Sequence, residues 1–396
     1  MLLQNLKIVG QDSLNHIRIV GDKIEEIASG DKAMEIGRDE VNITFENALA
    51  FPGLINSHDH LEFDLFPQLA NRTYRNYKEW GPDIHTQNAE AIQSIMKIPE
   101  SLRIQWGIYK NLLNGFTTVV HHGDHLDIEN PVTAIFEDCY SLHSVGLEKG
   151  WRYKLNRPFL KNWPFVVHIG EGTDVAAFEE INQLIKWNIF RRKIIGVHGV
   201  AMTAQQARSF EAVVWCPDSN FFLLNTTAKV DDLKAQTKIL FGTDSTLSAN
   251  WNAWEQIRLA RKTNMLSDQE LLASLTTAPA AVWGLEDRGV LAEGKKADIV
   301  VAEMKYFSDP MNSFFELNPE NILLVVRDGG IVLFDESLSS QLQQNEIVKM
   351  SSKVAVNSTV KFVKGNLPEL MQETRRFSQL TFPFQAEFQK IQHVGK

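Results

Sequence analysis

Residues 51–63 read FPGLINSHDHLEF. An apolar run ends in Leu54-Ile55, and two imidazoles follow one residue apart, His58 and His60. Side chains alternate across a strand, so a His-X-His pair at a strand end turns both rings the same way, as two ligands of one ion must be. A polar strand end reaching solvent produces the same pattern. The pair therefore acquires meaning only if other strands end in matching groups.

They do. Beyond residue 51 short apolar strands alternate with helical stretches: TTVVHHG (117–123), WPFVVHIGEG (163–172), KIIGVHGV (193–200), EAVVWCP (211–217) and KILFGTDS (238–245). Helical periodicity runs through 94–116, with Gly115 placed to stop the helix, and through 245–264. Alternating strands and helices imply a parallel sheet, and strands this apolar imply burial on both faces. The expected fold is α/β, a (β/α)8 TIM-type barrel over about 51–290. Residues 1–50 instead read as strands and hairpins, with a Gly-Asp turn inside NHIRIVGDKIEEIA (15–28). After about 290 the same rhythm returns in ADIVVAE (297–303) and in NILLVVRDGGIVLFD (321–335), which carries an Asp-Gly-Gly turn. Segments 1–50 and 291–340 are expected to form one small β-sandwich. The extension 341–396 mixes helical and strand signals and receives no assignment.

In a parallel barrel the strand ends share one rim. His58, His60, His168, His198 and Asp244 converge there: four imidazoles and a carboxylate. One histidine at a strand end is usually a hydrogen-bonded structural residue; this series on successive strands points to a metal. Nitrogen and carboxylate donors without thiolate suit one divalent ion, zinc first, with iron, nickel or manganese also served. Glu171 lies three residues past His168, where it can reach over the metal as a proton carrier, although a solvated loop carboxylate is the plain alternative. Glycines on both sides suggest backbone freedom at that point.

Composition narrows the partners. The chain has 396 residues, 44% hydrophobic and 22% charged, with a net charge of -9. Apart from FRRK at 190–193 no basic stripe stands out, so nucleic acid is not expected. There is no secretory leader pattern and no apolar run of membrane-spanning length, which leads to the expectation of a cytoplasmic protein with no membrane partner. Cys139 and Cys216 alone cannot make a disulfide framework. A homo-oligomer is compatible with all of this.

The motifs PGLINSHDH (52–60), GFTTVV (115–120), HIGEG (168–172), VHGV (197–200), CPDSN (216–220), FGTDS (241–245) and TAPAAVWGLEDRGVLAEGKKADIVV (277–301) resemble the amidohydrolase superfamily. The likeness is to its cytosine-deaminase-like and triazine-hydrolase-like branch and covers roughly residues 1–335. It implies His58, His60, His168 and Asp244 as metal ligands, His198 against the attacking water or the substrate oxygen, and Glu171 as proton shuttle. Asp244 also accepts the water's proton. CPDSN corresponds to the seventh strand, with Asn220 near the pocket. The bridging lysine of two-metal members is missing from the expected fourth strand, SLHSVGL (141–147), which offers His143; Lys149 and Lys154 are candidates only if that strand is misplaced.

Two features depart from the family pattern. Asp59, inside the His pair, should point away from the ligands and accept a buried hydrogen bond. In HHGDH (121–125), His122 or His125 either lines the pocket or belongs to a polar loop, and a further metal contact is conceivable. Segment 61–100 should partly cover the barrel mouth, where Tyr74, Tyr77 and Trp80 either stack on a planar ligand or pack together. The expected activity is hydrolytic deamination of a planar, polar, amino-substituted heterocycle. Cyclic-amide hydrolysis and triazine-type displacement of a ring substituent are the rival reactions, and a barrel that only binds is the rival class.

Overall fold

In the computed structural model of the chain, residues 1–30, 34–38, 40–342, 350, 352–380, 382–383 and 385–388 are described. Two sheet systems organise them. The first brings both chain ends together. Strands β1 (Leu2–Ile8), β2 (Leu14–Val20), β3 (Lys23–Ser29) and β4 (Asn42–Pro52) come from the N-terminal segment. The parallel pair β1/β4 runs from Leu2 opposite Asn42 to Ile8 opposite Ala50. The Gly21-Asp22 turn closes the β2/β3 hairpin with Val20 opposite Lys23.

The second sheet system is the barrel. Its strands are β5 (Leu54–Asn56), β6 (Phe116–Val120), β7 (Ala134–Phe136), β8 (Tyr140–Ser144), β9 (Phe165–Ile169), β10 (Ile194–His198), β11 (Ala212–Trp215) and β12 (Lys238–Phe241). They form two parallel arcs, β5-β6-β7 and β8 to β12. The seam between β12 and β5 is stitched where the Ser57 N–H donates to the Phe241 carbonyl (3.0 Å) and the Asp244 N–H to the His58 carbonyl (3.1 Å). Ile55, Val120, Val166, Ile195, Val197, Val214 and Leu240 pack into one cluster inside the barrel.

C-terminal strands then return to the first sheet. These are β13 (Ile299–Glu303), β14 (Ile322–Arg327), β15 (Gly330–Asp335), β16 (Ser352–Val356), β17 (Thr359–Val363) and β18 (Gln385–Phe388). β13 lies antiparallel to β4, so ten strands run in the order β18-β16-β17-β15-β14-β13-β4-β1-β2-β3. Ile17 of β2 shares a buried cluster with Phe334 of β15 and Phe362 of β17, which lie towards opposite ends of that order. The sheet thus folds over its own core, as a sandwich does. It is larger than the sequence suggested, because the tail contributes three strands as well as the helix Leu367–Phe377.

Other differences have local causes. The helical stretch 94–116 is split by Pro99 into helices α2 (Ala89–Met96) and α3 (Glu100–Leu113), and Gly115 at φ +85° ends the second as expected. Of 245–264 only Ala253–Lys262 is helical: the Asn252 side chain caps it by accepting the Trp254 N–H, and the preceding residues wrap around Asp244. β7 escaped the sequence reading because three residues are too short to show a period. Among the described residues no helix separates β6 from β7 or β7 from β8, so the outer helical layer is interrupted there. No helix among the described residues is long and apolar enough to cross a membrane.

Candidate active site

The His-X-His pair follows its strand rather than ending it, since β5 stops at Asn56. Asn56 holds the turn: its Oδ1 accepts the Thr243 N–H (3.1 Å) and its Nδ2 donates to Asn111 Oδ1 (2.8 Å). The two rings stand 86° apart with centroids at 4.8 Å, so they aim at one point through a bend of the chain, not through strand alternation. His168, in contrast, sits on β9 two residues after inward-facing Val166, as period two requires.

His198 breaks that rule. Val197 faces inward, so strict alternation would send His198 out of the barrel. Its φ of +71° swings it back, and the Gly199 N–H reaches the Val197 carbonyl (3.1 Å) across it in a three-residue turn. Asp244 is also left-handed, at φ +55°. Non-glycine residues in this region cost on the order of 1–3 kcal/mol each and concentrate at functional sites.

The donor atoms converge. His60 Nε2 lies 3.1 Å from His168 Nε2, which lies 3.3 Å from His58 Nε2; His58 Nε2 is 3.8 Å from Asp244 Oδ1. Four donors placed tetrahedrally at zinc-like bond lengths are about 3.4 Å apart. The protonation pattern suits a cation too. The His168 Nδ1–H donates to the His143 carbonyl (2.8 Å), leaving Nε2 bare. His58 Nδ1 meets His122 Nε2 at 3.1 Å, which leaves its Nε2 for the centre. Burial first, then the neighbouring imidazoles, hold His58 and His168 well below the usual histidine range, so both are neutral as ligands must be. At His60 burial is outweighed by the Glu62 carboxylate, which lifts the imidazole to about 9; a cation taken up at Nε2 expels that proton. These residues fit a divalent metal.

Asp244 stays ionised. Burial opposes this, but the charges of His198 and His60 and the Ser219 hydroxyl lower it further than burial raises it. Its Oδ2 accepts from Ser219 Oγ (2.7 Å) and Ser248 Oγ (3.0 Å), and its Oδ1 accepts the Ser245 N–H (2.8 Å). Glu171 behaves oppositely: burial above all, aided by Asp244 and Glu180, raises it to about 7. Glu171 Oε2 and Asp244 Oδ2 lie 3.7 and 4.0 Å from His198 Nε2. Asn220 Oδ1 accepts from His198 Nδ1 (2.9 Å) and Asn220 Nδ2 donates to Thr227 (3.1 Å), so the amide fixes the ring with Nε2 towards the two carboxylates.

Several expectations change place. CPDSN opens the helix Pro217–Leu224 that follows β11 rather than forming the strand, and Asn220 is buried behind His198. His122 backs His58 instead of lining the pocket. His125 is on the surface beside Glu137 (2.7 Å), and Lys154 is paired with Glu148 far from the centre. The fourth strand is where the sequence put it, with His143 at the pocket rim. The Glu171 turn is not free. A Cβ at Gly172 would stand 2.7 Å from Asn76 Cβ and 2.8 Å from the Arg75 carbonyl, and the Tyr77 N–H donates to the Glu171 carbonyl (3.2 Å). Glycine is there for close approach.

The same contacts lay segment 61–87 across the mouth. Leu69 is bonded to Leu247 (2.9 Å) in the loop after β12 and Tyr74 to Leu223 (2.9 Å) in the helix after β11, in both cases through backbone groups. Tyr77 and Trp80 of helix α1 (Tyr77–Gln87) line the cavity over the histidines, whereas Tyr74 turns away to Asp83 (2.6 Å). Three buried residues escaped the sequence reading. Lys110 of α3 bridges Asp59 (3.0 Å) and Asp64 (2.6 Å) behind the His58–His60 pair, meeting the hydrogen-bond demand foreseen for Asp59. Glu180 accepts the Gly170 N–H (2.9 Å) and the Tyr77 hydroxyl (3.0 Å). A charged residue at an inward helical position was the available signal for Lys110 and Glu180; for Ser219 there was none.

Residues 160–332 match the model of the amidohydrolase family. Among curated relatives it is 24% identical to the 5-methylthioadenosine/S-adenosylhomocysteine deaminase of Caldicellulosiruptor saccharolyticus, over 85% of this chain and 94% of that one. It is 23% identical to the enzyme of the same name from Dictyoglomus turgidum, over 77% and 85%. Among solved structures, an adenosine deaminase from Xanthomonas campestris with bound zinc superposes with a TM-score of 0.67 at 15% identity, covering 95% of this chain and 97% of that one. A zinc complex of atrazine chlorohydrolase from Arthrobacter aurescens gives 0.65 at 16% identity, over 95% and 99%. Amidohydrolase folds of this kind thus serve more than one reaction on ring systems.

Proposed function

We propose that this amidohydrolase deaminates an amino-substituted heterocycle, with zinc held by His58, His60, His168 and Asp244. The observation that carries the reading is the pairing of an ionised Asp244 with a Glu171 raised to about 7, both facing His198 Nε2. Two carboxylates whose environments drive them apart divide acid and base work between them. The curated relatives, all named as deaminases of adenosine derivatives, support the choice of an exocyclic amine as leaving group.

When bound, a divalent cation supplies a water activated at neutral pH and a Lewis acid beside the substrate. Asp244, held in place by the Ser219 and Ser248 hydroxyls, would accept one proton of the attacking water. Glu171, nearly half ionised at neutral pH, delivers a proton to the ring nitrogen next to the carbon under attack. It would recover a proton from the attacking water and pass it to the amine, which departs as ammonia while the ring keeps an oxo group in its place; the proton on Asp244 then returns to Glu171 and closes the cycle. His198, steadied by Asn220, is placed to orient the attacking water or the substrate oxygen through Nε2. The mouth segment 61–87 excludes bulk water, which strengthens each of these interactions. A cytoplasmic location suits a small-molecule enzyme with two cysteines and no disulfide.

The test is a panel of amino-heterocycles and cyclic amides with the metal-loaded enzyme, scored for ammonia and product mass. Deamination releases one ammonia and raises the mass by about one unit, whereas opening a cyclic amide adds about 18 units without ammonia. The second result, or displacement of chloride in preference to an amine, overturns the assignment.

A further inference from the structure

Glu180 is buried on the helix Val175–Trp187, which follows the Glu171 turn, and the chemistry derived above makes no use of it. A carboxylate away from water needs partners for both oxygens. One oxygen reaches back to the turn: Oε1 accepts the Gly170 N–H (2.9 Å), between His168 and Glu171. The other reaches the segment across the mouth: Oε2 accepts the Tyr77 hydroxyl (3.0 Å), with Lys78 Nζ at 3.5 Å. The phenol also meets Ser144 at the end of β8 and the Gly146 backbone just past it, so it is fixed from two sides. The two segments that Glu180 holds also hold each other. The Tyr77 N–H donates to the Glu171 carbonyl (3.2 Å), the Thr173 N–H donates to the Arg75 carbonyl (2.7 Å), and Asn76 pairs with Gly172 as in an antiparallel ladder. Asn76 Nδ2 adds a bond to Asp174 Oδ2 (2.5 Å). Tyr77, Trp80 and Glu171 all line the cavity, so its cover and its proton carrier belong to one bonded unit.

We propose that Glu180 is a positioning residue: by bonding the Glu171 turn and Tyr77 together, it makes the placement of Glu171 depend on the mouth segment being docked, so that Glu171 is set for chemistry only when the cavity is covered. When the mouth segment lifts, the turn loses the Tyr77 N–H and the Arg75 carbonyl from its backbone, and Glu171 loses its fixed place. A misplacement of about 1 Å costs up to about a hundredfold in rate. The inference rests on the proposed role of Glu171 for its turnover readout but not for its coupling readout.

Amide hydrogen exchange of the zinc-loaded chain is followed by mass spectrometry over 74–87 and 169–174, with the helix Ala253–Lys262 as control. Tyr77→Phe removes a hydroxyl that is bonded to Glu180 and not to the turn. Exchange in 169–174 should nevertheless rise about tenfold along with that in 74–87, the control staying as it was. Glu180→Ala should do the same, whereas Glu180→Gln should keep the protection, because its amide oxygen can accept from Gly170 while its NH2 donates to the phenol oxygen. In turnover, Tyr77→Phe and Glu180→Ala should each lower kcat about tenfold at full metal content with KM changed less, and combining them should be no worse than Glu180→Ala alone. Where Glu180→Ala fails to fold, Tyr77→Phe and Glu180→Gln still decide. Unchanged exchange in 169–174 for Tyr77→Phe, a Gln variant as loose as the Ala variant, or full turnover despite faster exchange overturns the proposal. Coupled exchange in a chain whose unmodified form releases no ammonia from any heterocycle would leave the coupling standing and remove the deaminase reading.

Discussion

At the residue scale the site turns on two carboxylates. Glu171→Gln preserves shape but carries no exchangeable acid proton, so turnover should fall by about two to four orders of magnitude while metal analysis still finds the ion. Near-normal turnover would move the proton shuttle elsewhere. The same substitution has a signature in stability. Glu171 binds its proton up to about 7 in the folded chain and only to its ordinary value near 4.5 when unfolded. Between those values the folded state holds more protons, so stability falls as pH rises. Denaturant titrations of metal-stripped protein at pH 5 and pH 8 should show the native chain losing on the order of 2 kcal/mol relative to the Gln variant; parallel behaviour would mean that Glu171 is not raised. His198→Asn should retain the metal with turnover reduced, and loss of the ion there would make His198 a ligand.

At the element scale helix α3 supports the centre from behind. Lys110, fully buried, satisfies Asp59 and Asp64 and approaches the Asp244 carbonyl (3.4 Å), tying the helix to the loops after β5 and β12. Lys110→Met leaves two buried carboxylates facing each other, and removing one partner from such a network costs about 3–5 kcal/mol. Chemical denaturation should register that loss, and adding Asp59→Asn and Asp64→Asn should recover most of it. The turn after β9 is equally constrained. Gly172→Ala pushes a methyl into Asn76 and the Arg75 carbonyl, shifting Glu171 relative to His198, and should lower kcat at least tenfold with KM changed far less. An unchanged kcat would show that the turn tolerates displacement.

For the whole molecule, a metal at the proposed centre would couple distant parts of the chain, because His58 and His60 follow β5, His168 lies on β9 and Asp244 follows β12. Binding to the folded state alone stabilises it by about 2.7 kcal/mol at a hundredfold excess over Kd. Chelation should therefore lower Tm by several degrees, and alanine at His58, His60, His168 or Asp244 should both reduce metal content and abolish that response. Stoichiometric metal in all four variants would place the centre elsewhere.

How much of this was legible beforehand follows from the range of the interactions. Local periodicity carried the barrel strands that bear His168 and His198, the split of the strand-rich ends, the hairpin turns, and the histidine and carboxylate types at the rim, since each depends on neighbours within a few residues. What depended on partners some 20 or more positions away was not legible: that Lys110 meets Asp59 and Asp64, that Ser219 holds Asp244, that Asn220 serves His198, and that the tail extends the first sheet. Nor could spacing show that His198 reaches the site against strand alternation, because its left-handed backbone is sustained by packing around it. The sequence by itself determined which chemistry-bearing groups are available and in what order along the chain. The tertiary structure alone decided which of them touch and in which protonation state, because burial and the neighbouring charges that set both arise only when remote segments meet.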